Sequence, residues 1–255
     1  MADPTTPDER TADPDRTAEL ARTAELERIR AAAVPDHHRA RDAIRAGDPD
    51  EAEAALDSLV ERFRSLQDYS VNWVASLLSY IGRELGEDAV EDALRQFGDD
   101  HLARRRAPAE GAPAWSDLSA EVRARAVIRP MVANGASVEV DADDERIELR
   151  FRCGSGGRLV DEGRYGHHPT DRGRDRVGER PAYLVLQGDG PVTFGRPGLP
   201  VYCAHCSVNN ELQPTERDGA PVTVEFPTRL PGEPCVHHVY RDGHRTRPDG
   251  TTTLA

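Results

Sequence analysis

The sequence predicts an α+β protein in which a helical N-terminal half precedes a small β-rich half. Three observations carry this expectation. An apolar stripe recurs at steps of three and four between Leu56 and Leu85, the period changes to strict alternation after residue 137, and all four cysteines lie beyond Arg152. The implied division is a tail at 1–15, a helical bundle at 16–106, a linker at 107–114, a cysteine-containing α+β domain at 115–245 and a second tail at 246–255.

Taken in order, the first residues are rich in proline, aspartate and threonine and cannot bury enough apolar surface to order themselves. Residues 17–34 alternate charge with alanine and leucine, as a solvated helix does. Asp36 is placed to cap a short helix that stops at Gly47. After Asp48-Pro49, the positions Leu56, Leu59, Val60, Phe63, Leu66, Trp73, Val74, Leu77, Leu78, Ile81 and Leu85 fall on one face of a long helix, which is expected to be the core of the bundle. Gly86 stops it. Residues 87–96 form another helix with Val90, Leu94 and Phe97 inward, ended by Gly98. A pocket between these helices would draw on Asp68, Asn72 and Tyr80.

Residues 107–113 (Ala-Pro-Ala-Glu-Gly-Ala-Pro) read as a linker, and 115–131 as a helix opened by Ser116 and closed near Pro130. Val138 and Val140, then Ile147, Leu149 and Phe151, alternate with polar residues around a turn at 141–145. This hairpin delivers Cys153 at its end. Short apolar runs at 183–186, 199–202, 222–226 and 236–240 predict further strands. Residues 161–180, rich in arginine and glycine, predict a mobile loop.

Composition excludes several functions. The 255 residues are 31% charged and 37% hydrophobic with 5% aromatic, and the net charge is −13. Nucleic-acid and anionic-membrane partners, which need a basic surface, are therefore not expected. There is no lysine: all 33 basic residues are arginine. That removes lysine-dependent pyridoxal-phosphate enzymes, phosphate-loop NTPases and kinases. No apolar run of about 18 residues predicts a transmembrane helix. The N-terminus has no secretory pattern, so a soluble, cytoplasmic protein is expected. Thiols in that compartment act as metal ligands more often than as disulfides.

Cys203 and Cys206 have the Cys-x-x-Cys spacing that lets two thiolates reach one ion from a tight turn, and Cys153 and Cys235 stand alone on either side. The expected cofactor is Zn2+, held tetrahedrally by Cys153, Cys203, Cys206 and Cys235 and organising the β-rich domain. Gly154, after Cys153, suits a turn that needs a positive φ. His205 lies inside the pair, His237-His238 follow Cys235, and His167-His168 lie in the loop. If one thiolate were not a ligand, the open zinc would activate water for hydrolase or lyase chemistry. Neither His-Glu-x-x-His nor the zinc-deaminase signature is present.

Two further signals stand beside the metal. Cys153-Gly154-Ser155-Gly156-Gly157-Arg158-Leu159 could cradle an anion on its amides with Arg158 as its partner, or could simply be a turn shaped around a bound thiolate. Cys203-Ala204-His205-Cys206 also matches the spacing of a dithiol oxidoreductase.

Together with Tyr202-Cys203-Ala204-His205-Cys206, and behind Asn72-Trp73 and Leu77-Leu78-Ser79-Tyr80-Ile81, the glycine-rich motif resembles bacterial proteins of uncharacterised function over most of the chain after about residue 50. The resemblance implies a two-part architecture with paired cysteine motifs and carries no activity. The expected function is a zinc-binding protein that binds, and in an open site transforms, a small anionic molecule at the junction of its halves. Arg158, His205 and His167 or His168 would be the polar contributors, with His205 and Arg158 as catalytic candidates. One alternative is a zinc-stapled module whose helical half recognises a protein partner. Another is a dithiol oxidoreductase using Cys203 and Cys206.

Overall fold

Backbone punctuation at proline and glycine sets the helices of the N-terminal region. The structure, a computed structural model, describes residues 14–106, 110–163, 183–227 and 233–247. His167 and His168, most of the 161–180 loop and nearly all of both expected tails lie outside the described residues. The chain divides into two compact units, residues 1–63 and 64–255. The division falls within a helix, so residues on both sides of 107–114 belong to the second unit.

Helix α1 is Pro14–Ala32 and α2 is Asp36–Ala46. Gly47 closes α2 at φ 73°, its amide reaching the carbonyls of Ala43 and Ile44. Asp36 is not the cap that the sequence suggests. It makes no capping bond, and its buried carboxylate instead holds Arg39 at 3.2 Å and Arg62 at 3.1 Å. Helix α3 runs from Pro49 to Leu85 (Pro49–Leu85), ending at Gly86 with φ 97°. In the first unit α2 and α3 bury alanines, Ala40 and Ala43 on one and Ala52 and Ala55 on the other.

The buried face of α3 is the reverse of the expected one. In the second unit it is Val71, Ala75 and Leu78, with the polar residues Asp68, Asn72 and Ser79. Leu56, Leu59, Val60, Phe63, Leu66, Trp73, Val74, Leu77 and Leu85 are exposed, and of the predicted stripe Leu78 alone is buried. Small residues let the helix approach its neighbours closely: a Cβ at Gly82 would stand 2.2 Å from Leu184 Cδ2. Asn72 bonds to the Asp68 carbonyl and accepts the Tyr183 hydroxyl at 3.0 Å, which uses the polarity expected to line a pocket. Tyr80 is exposed.

Helix α4 (Glu87–Phe97) buries Val90 and Leu94 as predicted, but Phe97 is exposed and Gly98 does not end the helix. The chain continues through a π turn at Gly98–Leu102 into α5 (Ala103–Arg106). Gly98 serves proximity here, since any Cβ would collide with the Gln213 and Asn209 side chains. Leu78, Val90 and Leu94 share a core with Leu186, Phe194, Leu199, Val201, Ala204 and Val208. Each large aliphatic side chain so buried contributes roughly 1.5–3 kcal/mol.

Ser119, not Ser116, caps α6 (Ala120–Ala133), accepting the Val122 amide at 3.3 Å. Pro130 lies inside this helix, and a short 3-10 turn at Trp115–Asp117 precedes it. The hairpin forms as predicted from β1 (Ser137–Ala142) and β2 (Arg146–Arg152). Next come α7 (Gly156–Asp161), β3 (Val185–Leu186) and β4 (Leu199–Pro200), the last two pairing with each other. A helical run follows: a 3-10 turn at Val201–Cys203, α8 (Ala204–Cys206), a π turn at Ser207–Leu212 and α9 (Gln213–Asp218). Strands β5 (Val224–Phe226) and β6 (Cys235–Tyr240) complete an antiparallel sheet of order β1-β2-β6-β5.

Register decides which side chains share a face. Phe151 opposes Cys235, Leu149 opposes both strands' neighbour His237, and Glu225 opposes His237 from the other side. Because strand side chains alternate, Cys235, His237 and Val239 lie with Leu149, Ile147 and Glu225 on one face. Helix α6 covers one end of that face, where Ala124 and Val127 pack with Ile147, Leu149 and Val239. Val236, His238 and Tyr240 lie on the opposite face with Val224 and Phe226. No helix among the described residues is long and apolar enough to cross a membrane.

Candidate metal centre

Three chain segments of the second unit carry the four thiols. Cys153 follows the last residue of β2, and Cys235 opens the antiparallel β6, so both stand at the same end of the central strand pair. Cys203 and Cys206 are three apart on right-handed helical backbone, which puts their side chains on one side of the turn. Glycines permit the approach of the segments. A Cβ at Gly156 would stand 2.4 Å from the Tyr202 ring, and one at Gly157 would stand 2.7 Å from Cys153 Cβ. Gly154 is not among the residues with positive φ. It is required because a Cβ there would lie 2.0 Å from the Asn134 carbonyl oxygen.

None of the four cysteines is in a disulfide, and all are half-buried. Burial pushes the Cys203 thiol up, and the charges of Cys153 and Cys235 add to the effect. Burial likewise raises Cys206 well above its usual value, followed by Glu225, Cys203, Cys153 and Cys235. The charges of Cys153 and Cys235 thus act on Cys203 and Cys206, and burial favours the neutral form of those two thiols. Tyr202 is pushed up to about 12 by burial and then by Cys206. The Ser155 amide donates to Cys153 Sγ at 3.4 Å, with the Ser155 hydroxyl at 3.2 Å from the same sulfur. Such bonds orient and stabilise a thiolate. Among the described residues, no three His, Cys, Asp or Glu side chains converge as a ligand group.

The expected polar contributors are already engaged. His205 Nδ1 lies 2.5 Å from the Tyr202 carbonyl, which can only accept, so Nδ1 carries the proton. Nε2, left unprotonated, faces Cys206 Sγ at 3.5 Å. Burial lowers the His205 pKa, keeping the ring neutral. Arg158 pairs with Asp68, pairs with Glu162 at 2.9 Å and donates through Nε to the Gly154 carbonyl at 3.2 Å. Its guanidinium ties α7 to α3 rather than facing an open turn. The glycine-rich segment itself winds into α7, a helix not expected from the sequence.

Beside the thiols lies a buried acidic group that the sequence did not reveal. Glu225, on the cysteine-bearing face of β5, is pushed up to about 8 by burial first and then by Glu211. Bonds from Asn210, at 2.8 Å, and from Cys206 oppose that shift. Arg247 holds Glu211 through two bonds of 2.7 and 3.2 Å. His237 Nδ1 lies 3.4 Å from Glu225 Oε1 without a hydrogen bond, and burial pushes its pKa down to about 3. Strand periodicity was the available signal for His237, which sits two residues after Cys235 and so shares its face. His238 points the other way, toward Glu148 at 3.1 Å. Glu225 has no comparable signal, because register alone brings it to His237.

Comparison with known protein families, characterised proteins and solved structures finds no match for this chain.

Proposed function

We propose that this chain binds zinc through the thiolates of Cys153, Cys203, Cys206 and Cys235, and that the ion organises the second unit. The observation that supports this most strongly is the placement of Cys153 and Cys235 at one end of the β2–β6 pair, from which their charges act on Cys203 and Cys206. A divalent cation reverses the cost of ionising them, and thiolate is a donor that zinc favours. The donor set fits a closed, structural site. Arg158 and His205 already have partners inside the fold, so neither supports an anion-binding or catalytic role. Raised thiol pKa values likewise speak against a dithiol oxidoreductase, whose attacking sulfur needs a depressed one.

Metal content combined with X-ray absorption tests the proposal. One zinc per chain with four sulfur neighbours at about 2.3 Å is the expected result. Changing any one of the four cysteines to serine should lower both zinc content and cooperative unfolding. A chain with no zinc, or a Cys235→Ser protein that keeps its full complement, would overturn it. A first shell of sulfur plus one lighter ligand exchangeable with solvent would point instead to the open, hydrolytic centre.

A further inference from the structure

Between Leu66 and Tyr80 the outward side of α3 carries Leu66, Tyr69, Trp73, Val74, Leu77 and Tyr80, each 40–66% exposed. The opposite side, with Val71, Ala75 and Leu78, is buried. A helix that is apolar on both sides has the composition of one covered on both sides. Leu66, Ser70, Trp73, Leu77 and Tyr80 also stand at alternating steps of four and three, which is the seam spacing of a two-helix coiled coil.

We propose that this face is a self-association surface, on which α3 of one copy packs antiparallel against α3 of a second copy about a twofold axis. Three features select that occupant. First, the six side chains present apolar area on the order of 700 Å² per copy, close to the roughly 800 Å² per partner of a stable interface. Second, the stretch from 66 to 80 contains one charged residue, Asp68, which is buried and paired with Arg158. On a chain of net charge −13, a surface without exposed charge is where two copies meet with least repulsion. Third, the sequence outside the described residues offers little to cover the face: its large apolar side chains are Met1, Tyr165, Val177, Leu230 and Leu254, too scattered to form a matching stripe.

The antiparallel sense follows from size. In a parallel pair in register, Trp73 would meet Trp73 and Ser70 would meet Ser70, crowding one layer and leaving a void in the next. Reversing one helix sets Ser70 against Trp73 of the other copy, and Leu66 against Leu77, so that small faces large and the contact repeats across the twofold axis. The same spacing continues in sequence through Phe63, Leu59 and Leu56, which are exposed on the part of the helix belonging to the first unit.

Sedimentation equilibrium of the full zinc-loaded chain, across the micromolar range, tests this. The native protein should be a reversible dimer. Trp73→Glu and Leu77→Glu should each weaken dimerisation by roughly tenfold or more, with helicity and zinc content unchanged. Ser70→Trp, at an exposed position, should weaken it too by filling the space opposite Trp73, and it decides the matter if the glutamate variants fold poorly. A native chain that stays monomeric overturns the proposal, as do variants that dimerise like the native chain. So does a monomer that binds phosphatidylcholine vesicles through these side chains. Zinc measured in the same samples keeps this result separate from that of the metal centre.

Discussion

At Gly154 the constraint on the chain is steric. The residue lies against the Asn134 carbonyl, and its neighbour Cys153 is a proposed ligand. Gly154→Ala should therefore destabilise the second unit by on the order of 1–3 kcal/mol. It should also reduce zinc content, as measured by denaturant unfolding and metal analysis. The sequence marks this glycine as special beside a cysteine, but close backbone contact with residues 134–136 is a tertiary fact with no local trace. His238 offers a pH test. Burial holds its pKa below 6.5, so an unfolded chain takes up the proton first. The stability it contributes is complete above 6.5 and lost as pH falls below it. His238→Gln should accordingly lose less stability than the native protein between pH 7 and pH 5, as read by urea unfolding at each pH. Equal losses in the two proteins would count against the buried neutral ring.

At the scale of elements, α3 shows what spacing can and cannot say. Pro49 and Gly86 mark its ends correctly, because both act on local backbone. The choice of face failed because α3 has two apolar sides, and the larger residues occupy the uncovered one. The core side uses Val71, Ala75, Leu78 and Gly82, and the missing side chain of Gly82 permits close packing against Leu184 and Val90. Leu78→Ala should cost about 2–5 kcal/mol, whereas Leu85→Ala, at the exposed end, should stay within about 0.5 kcal/mol. Thermal or urea unfolding of the two variants distinguishes the structural face from the predicted one. The hairpin of β1 and β2 was legible because alternation and turn chemistry agree there. Ser119 displaced Ser116 as the cap of α6 because Ser116 itself lies inside the 3-10 turn at Trp115–Asp117.

For the molecule as a whole, the proposed metal centre was legible as a set of residues and not as an environment. Four cysteines in one region are countable. The buried Glu225 and Glu211 beside them, with the half-buried Arg247, depend on strand register and on a helical run that folds back over β5. That environment has a consequence for metal uptake. Cys203 and Cys206, raised by burial, stay protonated at neutral pH, so zinc loading of the metal-free protein at pH 7 should release the protons of these two thiols. Its apparent affinity should fall steeply with acidification. Calorimetry in buffers of different ionisation enthalpy measures the release, and binding without proton release would show that the thiolates are not the ligands.

The position of β6 bears on how the protein is made. Among the described residues it is the last strand in chain order, yet it lies inside the sheet, between β2 and β5. During synthesis on the ribosome, β2 waits with an open edge and β5 has no partner until residues 235–240 have emerged. Three of the four cysteines are already present by then. Exposed edges of this kind recruit strands from other chains. A nascent chain released before Cys235 should therefore aggregate rather than persist as a smaller folded protein, and the final thiol and the final strand should complete the unit in a single event.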